Sequence, residues 1–455
     1  MRKSPRQILI KLGAEALADR LLDLASHCDE AAKLVTDLTS RTSSARAVDA
    51  TALRSSLAAT TNVSDSVDEE DYSIIAENLE AWLDELADQI EDPRLAIELL
   101  VEFYSTDSLV IERIDDEYGS VAEIYASNAR ALFVSFAAQC GDKDWLVDLV
   151  TAICARDDYG VRRGIVESAQ QYLPEPHLRA LADIFFDHAS NLPPGAFNAK
   201  RWLQYVEKLA RQLKDASLFE RACLASDPGV GGTTRIHIAD AYLDAGDAAT
   251  ALSWIESSLA DPLNQCKRDS LLLTAYLELG RIEQAAEVGW RMFRANRCRE
   301  TLDRLLQVIG EDQRESVING EINEVFSEEP FSYQNALYLI EFELIDAADA
   351  YILKHAGSIN GGFYGSILPI ANALEHSGRA LAATVLYRSL IDSILLRGKS
   401  ASYHHGADYL ARLVTLASSV ADWMDLASHE QYLATIRRNH SRKSSFWAQC
   451  QRIWR

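Results

Sequence analysis

Four stretches of this 455-residue chain hold residue types that could do chemistry. His404-His405 is the adjacent pair among ten histidines. Imidazoles ligate zinc and move protons near neutral pH. Neighbours on a helix point about 100° apart, so the pair does not converge on one metal. No HExxH motif is present, and a cap or packing role is the plainer expectation. Asp115, Asp116 and Glu117, ahead of Gly119, are the densest carboxylates beside a turn glycine. They lack the D-x-[DN]-x-[DN]-G order of a calcium loop. Two stretches are glycine-rich: Asp227-Pro228-Gly229-Val230-Gly231-Gly232-Thr233-Thr234, and GSINGGFYG at 357–365. A phosphate loop needs GxxxxGK[ST], with a lysine to reach the phosphates, and the first stretch has no lysine. The second lacks the strand-to-helix setting of a dinucleotide fingerprint. Both are expected to be loops between helices.

The seven cysteines, Cys28, Cys140, Cys154, Cys223, Cys266, Cys298 and Cys450, are odd in number and widely spaced, with no CxxC. That pattern fits free thiols in a reducing cytoplasm better than a disulfide framework or a zinc site. No GxSxG nucleophile elbow occurs. The motifs therefore predict no catalytic residue, no metal and no cofactor. An enzyme could still assemble its site from distant residues, with His404, His405 and Asp115 as the first candidates.

Composition narrows the partners. Asp and Glu total 68 against 45 Lys and Arg, a formal net charge of −23. Such a chain repels nucleic acid and anionic membranes at long range. With 48% apolar and 25% charged residues it reads as an ordinary folded protein. The scarcity of proline, 10 residues in all, argues for helix. The opening MRKSPRQILIKLG has no sustained apolar core and no small-residue cleavage site, so no signal peptide is expected. The uncharged run Ala356–Leu374 is long enough to span a bilayer. Its Gly357, Ser358, Asn360, Gly361, Gly362, Ser366, Pro369 and Asn372 are costly in hydrocarbon, and the run reads as a loop leading into a water-exposed helix. No membrane partner is expected.

Helical periodicity dominates the chain. Ser4-Pro5-Arg6-Gln7 is a helix-start signature, and Leu17, Leu21 and Leu24 share one face, which predicts a small helical unit over 1–38. Residues 39–70 form a Ser/Thr-rich linker, partly helical, whose hydroxyls compete for backbone hydrogen bonds. From Ser55 to Pro93 there are twelve acids and no Lys or Arg, with Ile75, Leu79, Leu83 and Leu86 recurring among them. This predicts a helix with a solvated acidic face, or a docking surface for a basic partner. A helical array follows over 71–225, with Asp92-Pro93 and Glu175-Pro176 as helix starts and Trp202, Val206 and Leu209 on one stripe. No segment alternates strictly, and the chain is predicted to be all-α.

Residues 226–400 carry a repeat. ADAYLDAGDAATAL (239–252) aligns without gaps with LTAYLELGRIEQAA (273–286), so Tyr242 and Tyr276, Gly246 and Gly280, and Ala251 and Ala285 are each 34 residues apart. That period and those residues resemble tetratricopeptide helix–turn–helix units. The tyrosine would fill the groove to the second helix. The glycine would take a positive-φ turn, and the alanine would allow two helices to cross closely. The early tryptophan position instead holds Arg235 and Asp269. Leu374, Gly378 and Ala383 echo the pattern, but Gly378 lies 98 residues after Gly280, which is not a multiple of the period. Each such hairpin exposes an apolar side for the next to cover, giving an α-solenoid with a groove for a protein or peptide.

LGAEALADRLLDLA (12–25), IDDEYGSV (114–121), HHGADYLARLVTLASSVADW (404–423) and HEQYLATIRRNHSRKSSFW (429–447) resemble an uncharacterised bacterial family, a long helical domain of unknown function. The C-terminal half is similar to the helical arrays that accompany SWIM-type zinc fingers. The finger's Cys-x-Cys and Cys-x-His ligands are absent, so zinc does not carry over. Residues 401–455 are expected to form closing helices with Tyr432, Leu433 and Ile436 on one face and Phe446 and Cys450 on the next. Arg437, Arg438, Arg442 and Lys443 make this end basic, either as favourable charge near helix C-termini or as an anionic contact site. The sequence thus predicts a cytoplasmic, non-catalytic protein-binding scaffold. The alternatives are an enzyme assembled from distant residues, and a nucleic-acid-linked accessory protein that uses the basic C-terminus.

Overall fold

The computed structural model describes Cys28 and residues 50–61, 69–113, 119–193, 195–257, 262 and 264–453. The expected N-terminal helical unit and the carboxylates Asp115, Asp116 and Glu117 lie outside the described residues. Among those described, every regular element is helical and none is a strand. The all-α expectation therefore holds. The chain forms two compact units that divide between Asp247 and Ala248.

Unit one contains α1 (Ala50–Thr61), α2 (Glu69–Gln89), α3 (Pro93–Tyr104), α4 (Asp107–Arg113), α5 (Ser120–Glu123), α6 (Arg130–Gln139), α7 (Lys143–Ala155), α8 (Arg163–Glu167), α9 (Glu175–Ser190), α10 (Phe197–Gln212), α11 (Ala216–Ser226) and α12 (Gly232–Asp244). A π-helical turn, Ile124–Ala129, joins α5 to α6. The acidic helix α2 buries Ile75, Leu79, Leu83 and Leu86 and turns Glu77, Glu80, Asp84 and Glu85 to solvent. That pattern is the amphipathic division expected of a helix on the surface of a core. Trp82 on its inner face donates its indole N–H to the Leu53 carbonyl of α1 at 2.9 Å. Asp92 caps α3 by accepting from the Arg94 amide at 3.1 Å, and Pro93 takes the first helical position, where no amide hydrogen is needed.

A buried arginine ties the middle of unit one together. Arg162 and Asp107 are both buried, and the guanidinium meets the carboxylate with two bonds of 2.8 Å. Arg162 also donates to the carbonyls of Tyr104 (2.6 Å) and Ile153 (3.1 Å), so α3, α4, α7 and the segment before α8 converge on one side chain. Asp157 accepts from the Arg162 amide and, at 2.9 Å, from the Tyr205 hydroxyl of α10. A buried charge is tolerated only when its bonds are made, and this pair makes them.

Unit two contains α13 (Ala248–Glu256), α14 (Gln265–Glu278), α15 (Ile282–Ala295), α16 (Arg299–Ile309), α17 (Arg314–Ser327), α18 (Tyr333–Glu341), α19 (Ile345–Lys354), α20 (Tyr364–His376), α21 (Ala380–Arg397), α22 (Tyr403–Ala417), α23 (His429–Asn439) and α24 (Ser444–Ile453). Consecutive helices pack on one another around a continuous core that runs from Phe293 to Cys450. A second buried arginine serves this unit. Arg297 grips Glu321 at 3.0 and 3.1 Å, Glu328 at 2.7 Å and Asn335 at 3.1 Å, and Arg294 binds the other oxygen of Glu321. Burial pushes the Glu328 carboxyl up, but the bonds from Arg297 and Asn335 outweigh it and hold the group below its usual value.

Several hairpins turn in the same way. At Gly246, Gly280 and Gly378, φ is +80°, +68° and +73°. In each case the glycine amide bonds three residues back, and the next amide bonds five residues back: Asp247 to Tyr242, Arg281 to Tyr276, and Arg379 to Leu374, all at 2.8 Å. This double bond closes a helix on a left-handed residue. Lys214 (φ +52°) and Glu343 (φ +58°) build the same turn without glycine. Between Gly280 and Glu343 lies the α16–α17 hairpin, which turns instead through Gly310 and a short 3-10 segment, Glu311–Gln313. The uneven spacing from Gly280 to Gly378 follows from that different turn. Ala251, Ala285 and Ala383 are fully buried. Tyr242 and Tyr276 are only half-buried, and the Tyr242 hydroxyl reaches back to Glu220 on α11 rather than forward to a second helix. Asp269, at the early tryptophan position, is buried and paired with Arg291 at 2.6 Å.

Two stability experiments follow. Arg162→Met strands the buried Asp107 carboxylate and is expected to cost about 3–5 kcal/mol. Adding Asp107→Leu should recover part of that loss, as read by chemical denaturation with far-UV circular dichroism. Gly280→Ala forces a side chain into a left-handed turn and should cost about 1 kcal/mol, whereas Glu343→Gly relieves the same conformation and should raise the unfolding midpoint.

Candidate functional site

Unit two carries two adjoining cavities where the loop 357–363 crosses α21. The loop is pinned by Tyr333, whose hydroxyl donates to the Asn360 carbonyl at 2.8 Å and accepts from the Asn360 amide at 2.9 Å. The Asn360 side chain in turn accepts from the Gly362 amide at 2.9 Å. Two glycines let the loop sit directly on the helix. A Cβ at Gly361 would fall 1.8 Å from the Ser389 carbonyl oxygen, and one at Gly362 would fall 2.7 Å from Arg397 Nη2. Backbone thus lies against backbone, an approach that any side chain would prevent.

The first cavity, ≈ 400 Å³, lies between this loop and α21 and includes Arg388, Ser389, Asp392 and Leu396 in its lining. Arg388 is buried. It donates to the Ala427 carbonyl at 2.7 Å and lies 4.6 and 4.9 Å from the ring centres of Tyr432 and Trp423. Its Nε and Nη2 have no hydrogen-bond partner among the described residues. Burial pulls its pKa below the ordinary arginine value, and the two aromatic faces compensate part of that cost. Asp392 accepts from the Tyr432 hydroxyl at 2.8 Å.

The second cavity, ≈ 370 Å³, shares Gly361 and Ser393 with the first. Leu368, Leu390 and Ile394 give it an apolar floor, while Tyr364, Arg397 and His405 add polar groups. The glycine-rich stretch and one of the paired histidines, far apart in sequence, therefore meet here. His404 and His405 are both exposed, and their ring centres are 3.9 Å apart. Among the described residues no group of three or more His, Cys, Asp and Glu side chains could hold a metal ion.

The other singled-out residues do not converge. In the 227–234 stretch the Asp227 carboxylate accepts from the Thr234 hydroxyl at 2.6 Å and the Gly231 amide at 2.9 Å. These bonds hold its carboxyl below the usual range. The loop is closed on its own anion, in the place a phosphate loop would keep for its ligand. Burial pushes the Cys223 thiol up to about 12 and Cys450 up to about 11, so neither is a ready thiolate nucleophile near neutral pH. Arg437 lies 5.8 Å from the Trp447 ring centre, and Lys443 Nζ is 3.5 Å from the Tyr403 hydroxyl. Arg438 and Arg442 are exposed.

Sequence reasoning passed over Arg388, Asp392 and Arg397, which lie on the long helix α21 and carry no motif. It also passed over the buried Asp157 and Arg162. A signal for these existed: Asp157-Asp158-Tyr159-Gly160-Val161 echoes the Asp115-Asp116-Glu117-Tyr118-Gly119 stretch.

Hairpins packed in sequence order, with open clefts of mixed polarity between them, define a helical-repeat protein. The chain belongs to a family of unknown function, DUF6880, which matches residues 5–226 and 229–449. No curated protein matches it. A solved structure described as a circular tandem repeat protein with novel repeat topology and enhanced subunit contact surfaces is 14% identical over 96% of this chain and 98% of its own, with a TM-score of 0.14. No helix among the described residues is long and apolar enough to cross a membrane.

Gly361→Ala should lift the loop from α21, cost about 1–3 kcal/mol, and speed amide hydrogen exchange over 357–363. Gly365→Ala, where an added Cβ meets nothing within 4 Å, should leave that exchange unchanged.

Proposed function

We propose that this chain is a non-catalytic scaffold that binds a protein partner through the paired clefts of unit two. The observation that carries the reading is the rim of those clefts. Leu396 is 83% exposed, Tyr364 66% and Phe363 57%, on a loop and helix held together by backbone contact. Large apolar side chains gathered at an open cleft mark interaction surfaces more often than reaction sites. A rigid support keeps the ordering cost of binding low. The helical-repeat fold supports the same reading as an analogy, since such folds commonly present grooves to proteins or peptides. So does the likeness of the C-terminal half to the helical arrays that accompany SWIM zinc fingers. The free thiols favour a reducing, cytoplasmic setting in a bacterial cell.

The test compares the full chain with a Tyr364→Ser, Leu396→Asp variant as bait in quantitative pull-downs. Partners recovered by the parent should fall about tenfold or more with the variant, at an unchanged melting temperature. Equal recovery by both baits, or small-molecule turnover by the purified protein, would overturn the reading.

A further inference from the structure

We propose that the second cavity of unit two receives an acidic peptide segment, with a large apolar side chain on the cavity floor and a neighbouring carboxylate bound by Arg397 and His405. The inference rests on the scaffold reading and names the chemistry of the partner.

Charge distribution is the first support. Six arginines of unit two, Arg291, Arg294, Arg297, Arg314, Arg379 and Arg412, each meet a carboxylate. Arg397 is exposed and has no ion pair among the described residues, and neighbouring Lys399 is likewise exposed and unpaired. Lys443 belongs to the same patch, since its Nζ lies 3.2 Å from where a Cβ of Gly398 would stand. Arg397, Lys399 and Lys443 thus form a cationic patch beside this cleft with no ion pair among the described residues. No Asp or Glu lines the second cavity, whereas Asp392 lines the first. In the second cavity Arg397 thus faces no carboxylate, whereas in the first Asp392 stands in the same lining as Arg388.

The floor decides between classes of anion. Leu368, Leu390 and Ile394 offer apolar surface to a side chain and nothing to a phosphate backbone. The space, ≈ 370 Å³, suits one or two large side chains. A polyanion such as nucleic acid would meet the repulsion of a chain with net charge −23 beyond these few cations. A short acidic segment makes a charge-assisted bond to Arg397 and buries one apolar anchor, and it presents too little charge to be turned away.

Random heptapeptides displayed on phage and selected against the full chain supply the probe. Enriched sequences should place Asp or Glu within two positions of Leu, Ile, Phe or Trp. The best of them, synthesised with a fluorescent label, should lose about tenfold in affinity with Arg397→Ala and with Asn or Gln in place of its own acids. It should also weaken as salt is raised. Enrichment of neutral or basic peptides, affinity indifferent to Arg397→Ala, or tighter binding of a single-stranded DNA oligonucleotide would overturn the inference. If partner recovery still depends on Tyr364 and Leu396 while these outcomes fail, the acidic-peptide inference falls and the scaffold reading stands. If that dependence is lost too, both fall.

Discussion

Reversal through one left-handed residue is the constraint on which the hairpins depend. When a helix ends on a single positive-φ residue and the next begins at once, the two axes are held close before any side chain is chosen. Closeness then selects the residues at the crossing. Ala285 and Ala383 are fully buried because a larger side chain would wedge the helices apart. Lys214 and Glu343 build the same turn, which indicates that the hairpin geometry is worth the strain of a non-glycine residue there.

Tight turns within hairpins leave the longer connections to run between them. Those connections carry backbone groups that the helices do not satisfy, and buried arginines supply the missing donors. Arg162 serves the carbonyls at the ends of α3 and α7 while it neutralises Asp107. Arg297 gathers Glu321, Glu328 and Asn335 where the chain passes from α15 toward α18. The loop before α20 is fixed differently, by the Tyr333 hydroxyl and by bare backbone against α21. With no bulky clamp to fill the space, clefts remain on both sides of it.

Much of this was legible in the sequence. Asp92-Pro93 announced α3, the acidic stripe announced α2, and the paired Tyr, Gly and Ala residues marked the hairpins of the repeat. These signals are local, because they reflect caps, helical periodicity and turns. The site was legible only in fragments. GSINGGFYG and His405 stood out as types, but their meeting depends on how α20, α21 and α22 pack, and no spacing encodes that. Arg388 and Arg397 gave no sign, since an arginine on a long helix reads the same whether it is buried under tryptophan or open to water. The interval between Gly280 and Gly378 is not a multiple of the period because one hairpin turns through Gly310 by another route.

Gly361 has a bearing on how relatives are to be compared. Because helix carbonyl and loop backbone share the space a methyl group would need, the position admits no compromise residue. A homologue with any side chain there must anchor its loop elsewhere, and it inherits the architecture without the hollow. Presence or absence of that one hydrogen-only residue sorts the relatives that could share a ligand from those that keep only the scaffold.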